Sequence, residues 1–408
     1  MRWESLKLGE VMDVKHGYAF KSEFFTDSGQ YVLLSPGNCH EEGGLKLKGD
    51  KEKYYSGEFP PEYLMSEGDM LVVMTDLINT APILGGAFVI PVNNRFLHNQ
   101  RLGAVQITDD QRIDKGFLYY LLNSHDYRAQ VRGSASGATV RHTAPTRIKD
   151  CVVQVPTNVG YQKKIGDILS TYDDQIENNR RRMALLEESA RLLYREWFVR
   201  LHFPGYEHTP IVDGVPQGWE RKTLAQLAIF LKRGITPTYD DDAEGLVINQ
   251  KCIRNGRVNI ELARNQSKEV KPERLLQVGD VLVNSTGEGT LGRVAQVKAP
   301  IVNCTVDTHV TIVRFNKNAG QHYFGQAVMD WESRFSTMGK GATNQTELSP
   351  AAIGETVILV PSHTLQAQFE AFAEPLYVQV SNLAIQNQKL RTTRDLLLPR
   401  LMSGELAV

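Results

Sequence analysis

At 408 residues and 41% hydrophobic content, the chain is too long for one ordinary core and carries enough apolar material for two globular domains or more. Its 46 Lys and Arg are set against 47 Asp and Glu. The resulting net charge of −1 excludes a nucleic-acid binder that works through bulk positive charge, so any DNA affinity must come from a focused basic face or from partner subunits. Cys39, Cys151, Cys252 and Cys304 lie far apart with no CxxC spacing, which argues against a zinc site or a disulfide framework. The sequence has neither a signal-peptide core nor an apolar run of membrane-spanning length, so a cytoplasmic protein without membrane contact is expected.

Residues 1–157 mix short β-branched runs with turn signals. LVVM at 71–74, AFVI at 87–90 and DCVVQV at 150–155 read as strands, and residues 116–128 as an intervening helix. After Pro156 the pattern changes. Ile165, Leu169, Tyr172, Ile176, Asn179, Met183, Leu186, Ala190, Leu193 and Trp197 alternate four and three residues apart, the seam of a coiled coil within a helix over 158–202. A helix of about 40 residues would reach roughly 60 Å. Asn179 on this seam reads either as a register-setting polar pair or as a local opening to solvent. Pro204 and Gly205 stop the helix, and a polar linker runs over 203–218.

Residues 219–361 repeat the grammar of the first domain, with DVLV at 280–283, GRVAQV at 292–297, VTIVRF at 310–315 and ETVILV at 355–360 as strands. A second seam follows over 362–408, at Phe372, Leu376, Val380, Leu383, Asn387, Leu390, Arg394, Leu397 and Leu401, with Pro375 expected to kink the helix or to begin its regular part. Each helix alone would expose its apolar stripe, so the two are expected to pack on each other, antiparallel. A register that sets Trp197 beside Phe369 and Ile165 beside Leu401 also sets Asn179 beside Asn387.

The halves repeat in detail. Trp3-Glu4 and Leu8 return at the same spacing as Trp219-Glu220 and Leu224; Gly68-Asp69 returns as Gly279-Asp280, Leu84-Gly85 as Leu291-Gly292, Gly137-Ala138-Thr139 as Gly341-Ala342-Thr343, and Val155-Pro156 as Val360-Pro361. The fold class that follows is α+β: two tandem α+β domains, two long antiparallel coiled-coil helices and an internal pseudo-two-fold repeat. A unit used twice suits a two-sided ligand, and DNA is the commonest polymer with that symmetry.

Motifs for catalysis are missing. Met338-Gly339-Lys340-Gly341 lacks the length and the Ser or Thr of a Walker A loop, and no GxGxxG follows a strand. There is no (N/D)PP(Y/F) motif of amino-methyltransferases, no nucleophile elbow and no HExxH. Gly-rich NSTGEG at 284–289 follows a strand and reads as a tight surface loop or as a phosphate cradle, the loop being favoured. A methyltransferase or nuclease with an unrecognised site would bind cofactor as an isolated chain; a pure coiled-coil scaffold would show no salt-sensitive DNA binding in any assembly.

LLYREWFVRLHFPG at 192–205, VPQGWE at 215–220, TRDLLLPRLMSGEL at 393–406 and NSTGEGTLGRVA at 284–295 resemble segments of type I restriction-modification specificity subunits, and the likeness runs through the whole chain as domain, helix, domain, helix. Trp3 lacks the longer lead that precedes Trp219, a small departure from the pattern. The resemblance implies a non-catalytic subunit whose two target-recognition domains each read half of a split double-stranded DNA site. Its helices would set the spacer and dock two methyltransferase subunits and, through them, restriction subunits. S-adenosylmethionine, ATP and magnesium would belong to those partners.

Candidate base readers are polar residues in Gly-bearing loops: Lys15, His16, Tyr18, Lys21, Thr139, Arg141 and His142 in the first domain, and Lys232, Arg233, Lys340, Thr343, Asn344 and Gln345 in the second. Each also reads as an ordinary solvated loop residue. The two GAT segments diverge immediately afterwards, as expected where a shared scaffold presents different readers; Arg and Lys favour guanine edges, Asn and Gln adenine. Arg181, within Arg180-Arg181-Arg182, reads as solvated helix face or as a phosphate contact. Trp197 and Phe198 read as core at the helix end.

Overall fold

The computed structural model describes residues 2–316, 320–340 and 346–408. The chain packs as two compact units, Met1–Glu177 with Asn387–Val408, and Asn178–Gln386. Each unit therefore contains one α+β domain, part of the helix that follows it and part of the other long helix. Among the described residues no helix is long and apolar enough to cross a membrane.

In the first unit, strand Trp3–Lys7 pairs antiparallel with Val152–Pro156. A four-stranded antiparallel sheet runs in the order Met12–His16, Leu102–Ile107, Met70–Val73, Ala87–Val89. A second small sheet sets Tyr31–Leu33 parallel to Phe96–Leu97 and antiparallel to Tyr54–Tyr55. Leu71, Val73, Phe88 and Leu102 fill one face of the larger sheet, while Met12, Val14, Met70 and Val72 face helices on the other. Alternate residues of one strand thus serve two cores. Residues 116–128 form two helices, Lys115–Leu122 and His125–Ser134, broken at Asn123 and Ser124.

The second unit repeats the order and directions of these strand pairs. Glu220–Thr223 pairs with Val357–Val360, the larger sheet runs Ala228–Arg233, Val310–Phe315, Val281–Asn284, Val294–Gln296, and Gly245–Ile248 lies parallel to Cys304–Val306 and antiparallel to Arg264–Gln266. Its sheet contains a buried ion pair, Arg314 to Asp280 at 2.6 Å, with further bonds from the guanidinium to the carbonyls of Glu273 and Leu275. The charge is thereby paired and its remaining donors satisfied.

The long helices span Val159–Tyr194 and His363–Met402. Within the first unit they run antiparallel: Arg394 bonds to Asp173, which also accepts from the Tyr120 hydroxyl, and Asn387 Nδ2 donates to the Ile176 carbonyl at 3.2 Å. Within the second unit, Asn179 Nδ2 donates to Gln386 Oε1 at 3.2 Å, and the rings of Trp197 and Phe369 lie 6.2 Å apart. Ile165, Leu169, Ile176, Asn179, Ala190 and Trp197 are buried, as are Val380, Leu383, Asn387 and Leu401. Tyr172, Met183, Leu186, Leu193, Leu376, Leu390, Arg394 and Leu397 are half-buried. Phe372 corrects the expected seam. It is 58% exposed, and Leu365, Phe369, Ala373 and Tyr377 are buried in its place, because this stretch packs on Tyr323 and Phe324 of its own domain as well as on Tyr194 and Phe198. The helix continues through Pro375, whose ring lies on the exposed side.

A buried glutamine fixes the start of each long helix. Gln162 Nε2 donates to the carbonyls of Pro156 (2.8 Å) and Arg112 (2.9 Å), and its Oε1 accepts from the Asp114 N–H at 2.9 Å. Gln366 repeats the arrangement, donating to the Pro361 carbonyl at 2.8 Å and accepting from the Gly320 N–H at 3.4 Å. Replacing Gln162 by Leu strands three buried groups and should cost about 2–4 kcal/mol; Gln366→Leu strands two and should cost less. Denaturant unfolding followed by hydrogen exchange checks this. Equal or negligible losses, or loss of protection outside the altered unit, would contradict the assignment.

Candidate nucleic-acid interface

In each unit the first strand of the larger sheet ends at a glycine that no other residue can replace. A Cβ on Gly17 would overlap the carbonyl oxygen of Asn99, and one on Gly234 would overlap that of Val306. The close approach lets the chain cross directly to the edge of the second sheet, where Tyr18 bridges Asn99 and Ile235 bridges Asp307. Lys15 and His16 precede the first glycine, Lys232 and Arg233 the second. Opposite Gly103, His16 occupies the position that Arg233 holds opposite Thr311.

A second wall comes from the loop that follows the central strand. In the first unit Thr75–Asp76 pairs with Arg141–His142; the His142 Nδ1 lies 3.1 Å from Thr75 Oγ1, and the Thr143 N–H donates to the Met74 carbonyl at 2.9 Å. In the second unit Thr286 bridges Glu347, Lys340 and Glu347 exchange backbone bonds of 3.0 Å, and the Leu348 N–H donates to the Ser285 carbonyl at 2.8 Å. The sheet's own topology brings these segments together. Sequence reasoning passed over Thr75–Asp76 and named no reader within 284–289; the signal available was that Gly68-Asp69 and Gly279-Asp280 open equivalent strands that must end at equivalent loops.

The candidate readers divide into exposed tips and half-buried clamps. Lys15, His16, Lys21, Thr139, His142, Lys232 and Lys340 are exposed. Lys15 stands 5.0 Å over the Tyr63 ring, and Tyr18 lies edge-to-face with Phe20 at 5.0 Å and tilted against Tyr63 at 5.3 Å. Lys21 lies 4.0 Å from Glu23, and Lys232 lies over Phe230. Arg141 turns inward: it donates to the carbonyls of Arg132 (3.0 Å) and Gly137 (3.4 Å). Arg233 pairs with Glu347 at 2.6 Å and donates to the Leu348 carbonyl. These two guanidiniums hold the loops that carry other readers. Thr343, Asn344 and Gln345 lie outside the described residues. Arg181 is exposed on the central helix in the second unit.

Among the described residues, metal-ligand chemistry gathers at His322, Glu370 and Glu374, whose ligand atoms lie within 4.8 Å of one another. A structural role accounts for the group. Glu370 accepts from the N–H groups of His322 and Tyr323, both at 2.9 Å, and so caps the helix Gln321–Met329; His322 Nε2 lies 2.6 Å from Glu374. The equivalent helix Lys115–Leu122 is capped by Asp114, which accepts from the Phe117 N–H at 2.8 Å. Gly320 stands at that place in the second unit, so a carboxylate on the long helix supplies the acceptor.

Residues 1–188 match the family model described as type I restriction modification DNA specificity domain. The chain is 24% identical over 347 residues to the type I restriction enzyme MjaIX specificity subunit of Methanocaldococcus jannaschii, covering 81% of this chain and 77% of that protein. It is 24% identical over 322 residues to the type I restriction enzyme EcoBI specificity subunit of Escherichia coli, covering 73% of this chain and 63% of that one. In fold it is similar to the type I restriction-modification system S subunit from M. genitalium, with a TM-score of 0.59 at 17% identity over 98% of this chain and 96% of that structure.

The first site rests on His98, which is 1% exposed; its carbonyl accepts from the Tyr18 N–H and its Nε2 donates to the Leu102 carbonyl at 2.8 Å. Burial pushes its pKa down to about 4, against the opposing effect of that hydrogen bond. Unfolded, the ring takes up its proton near 6.5; folded, only near 4. The unfolded chain thus binds more protons across this window, so the contribution of His98 is complete above 6.5 and is lost as the pH falls towards 4. His98→Gln, which keeps a donor for Leu102, should flatten the decline in stability between pH 6.5 and 4. Identical pH slopes for the two proteins would show that His98 is not the group concerned.

Proposed function

We propose that this chain, which belongs to the specificity subunits of type I restriction-modification systems, reads a bipartite DNA target, residues 1–157 reading one half and residues 219–361 the other. The observation that carries the proposal is the duplicated site: the same strand end, the same glycine crossing and the same flanking loop, furnished with exposed Lys15, His16 and His142 in one unit and with exposed Lys232 and Lys340 in the other. A common scaffold with different exposed side chains is what two independent readings of different bases require.

Part of each long helix belongs to each unit, and to these helices we assign the setting of the unread spacer between the half-sites. The same helices offer exposed apolar side chains, Leu185 and Leu192 on the central helix and Ile385 and Leu396 on the C-terminal one. These are the docking positions for two methyltransferase subunits, one per repeat. Those subunits, with restriction subunits joined through them, supply the catalytic groups, S-adenosylmethionine, ATP and magnesium, and the positive charge that a chain of net charge −1 lacks.

Two measurements test this reading. Exchanging residues 1–157 for the same region of a relative should change one half of the methylated sequence and leave the other half and the spacer as they were; a change in both halves would defeat the independent-reader scheme. At saturating partner, native mass measurement should find two methyltransferase subunits per chain. A single copy would mean that the repeat does not supply two equivalent docking surfaces.

A further inference from the structure

The loop that follows the central strand differs between the two units in a way that bears on what each can read. In the second unit it is short and polar, Thr286 to Thr290 with glycines at 287 and 289. In the first it is longer and presents two adjacent aliphatic side chains to solvent, Leu77 at 62% and Ile78 at 54% exposure. Exposed apolar residues standing singly are ordinary, whereas adjacent pairs form a small patch; among the described residues one other such pair stands out, Ile211 and Val212 in the hairpin after the central helix, away from either candidate site.

This backbone is fixed. The Asp76 carboxylate, itself buried, accepts from the N–H groups of Ile78 (3.0 Å) and Ile83 (2.8 Å), and the Ala81 N–H donates to the Ile78 carbonyl at 2.9 Å. Ala81 is buried at a positive φ of 51°, and Leu84 beyond it is fully buried. Held at both ends, the pair cannot fold its side chains into the core and remains hydrated unless a ligand covers it. Its place in the fold indicates the ligand. Leu77 follows the strand pair formed by Thr75–Asp76 and Arg141–His142, whose antiparallel register carries the aliphatic pair towards the side of the loop at 137–140, next to candidate readers Thr139 and Arg141.

We propose that Leu77 and Ile78 are specificity-determining residues that pack against the 5-methyl group of a thymine in the major groove of the half-site read by the first unit. The inference rests on the DNA-reading function given above. On the edge of a base pair the apolar feature is the thymine methyl, and aliphatic side chains are its ordinary partners. Polar neighbours position the loop while the pair excludes water from the methyl. The second unit, with no aliphatic residue in its shorter loop, lacks this reading.

The experiment uses the full chain assembled with its methyltransferase subunits, and duplexes selected from a randomised library. Each thymine of the selected duplex is replaced in turn by deoxyuridine, which keeps the hydrogen-bonding edge and removes the methyl. One such replacement, within one half-site, should weaken binding about three- to fivefold, the effect of exposing one buried methyl group. Leu77→Ser/Ile78→Ser should bind the thymine and deoxyuridine duplexes equally, and selection with it should relax at that position while the other half-site is unchanged. If no deoxyuridine replacement weakens the wild-type complex, or the selected half-sites contain no thymine, the inference is wrong. It is equally wrong if the double variant loses affinity for every duplex alike, the mark of a wedge or a general contact, or loses its methyltransferase subunits, the mark of a protein-docking patch. Failure of the assembled wild-type chain to select any preferred sequence would instead remove the DNA-reading function itself.

Discussion

Each long helix leaves its domain through one buried side-chain amide, and the angle at which helix meets domain depends on that bond. Gln162 and Gln366 sit on the first turn of their helices and bind the last strand of the preceding domain and the start of the domain's own helix. A primary amide suits the position, because it can donate to carbonyls and accept from an N–H at once, and so satisfies groups that the ends of a strand and a helix leave unpaired. Burial makes the bond exacting: a shifted helix would strand these groups at a cost greater than the pairing itself contributes. Direction is therefore passed from the sheet to the helix without a flexible joint.

The far end of each helix is held by the other domain in the sequence. Phe198 and Phe203 pack on Trp219 in the second unit; in the first, Leu401 and Met402 join the core and Gly404 lies against the Trp3 ring. A repeat written as domain then helix is thus folded as a domain, the first part of its own helix and the last part of the other. This exchange explains why the tryptophan that opens each repeat is matched by apolar residues closing a helix far away in sequence. It also means that neither repeat, cut out alone at 157 or 219, would keep the contacts that complete its unit.

Local, periodic features were legible in the sequence, and contacts between distant residues were not. The alternating four-three spacing coincides with buried or half-buried positions along both helices because a coiled-coil seam is written in the nearest neighbours of each residue. It fails at Phe372, where the helix turns its buried face to a domain as well as to a helix, and Leu365, Phe369, Ala373 and Tyr377 line up at intervals of four. Gln162 and Gln366 gave no signal, since a lone polar residue has no period. The domains could be read as α+β but not traced, because their order depends on crossings such as Gly17 over Asn99 and Gly234 over Val306 that only the fold brings together.

The candidate site was legible as loops but not as roles. Arg141 and Arg233 have the chemistry of guanine readers, and in the folded chain that chemistry is spent on carbonyls and on Glu347. A guanidinium is well suited to this second use, for its fixed fork ties two segments at once. Rigid loops lower the ordering cost when exposed tips meet a ligand, so an arginine that ties a loop down lowers that cost whichever groups make the contact. The glycine crossing and the flanking loop are common to the two units, whereas the arginine that ties the loop and the exposed tips differ: Arg141 holds the loop of one copy, with His142 and an aliphatic pair at its surface, and Arg233 that of the other, with Lys340 beside a short polar loop.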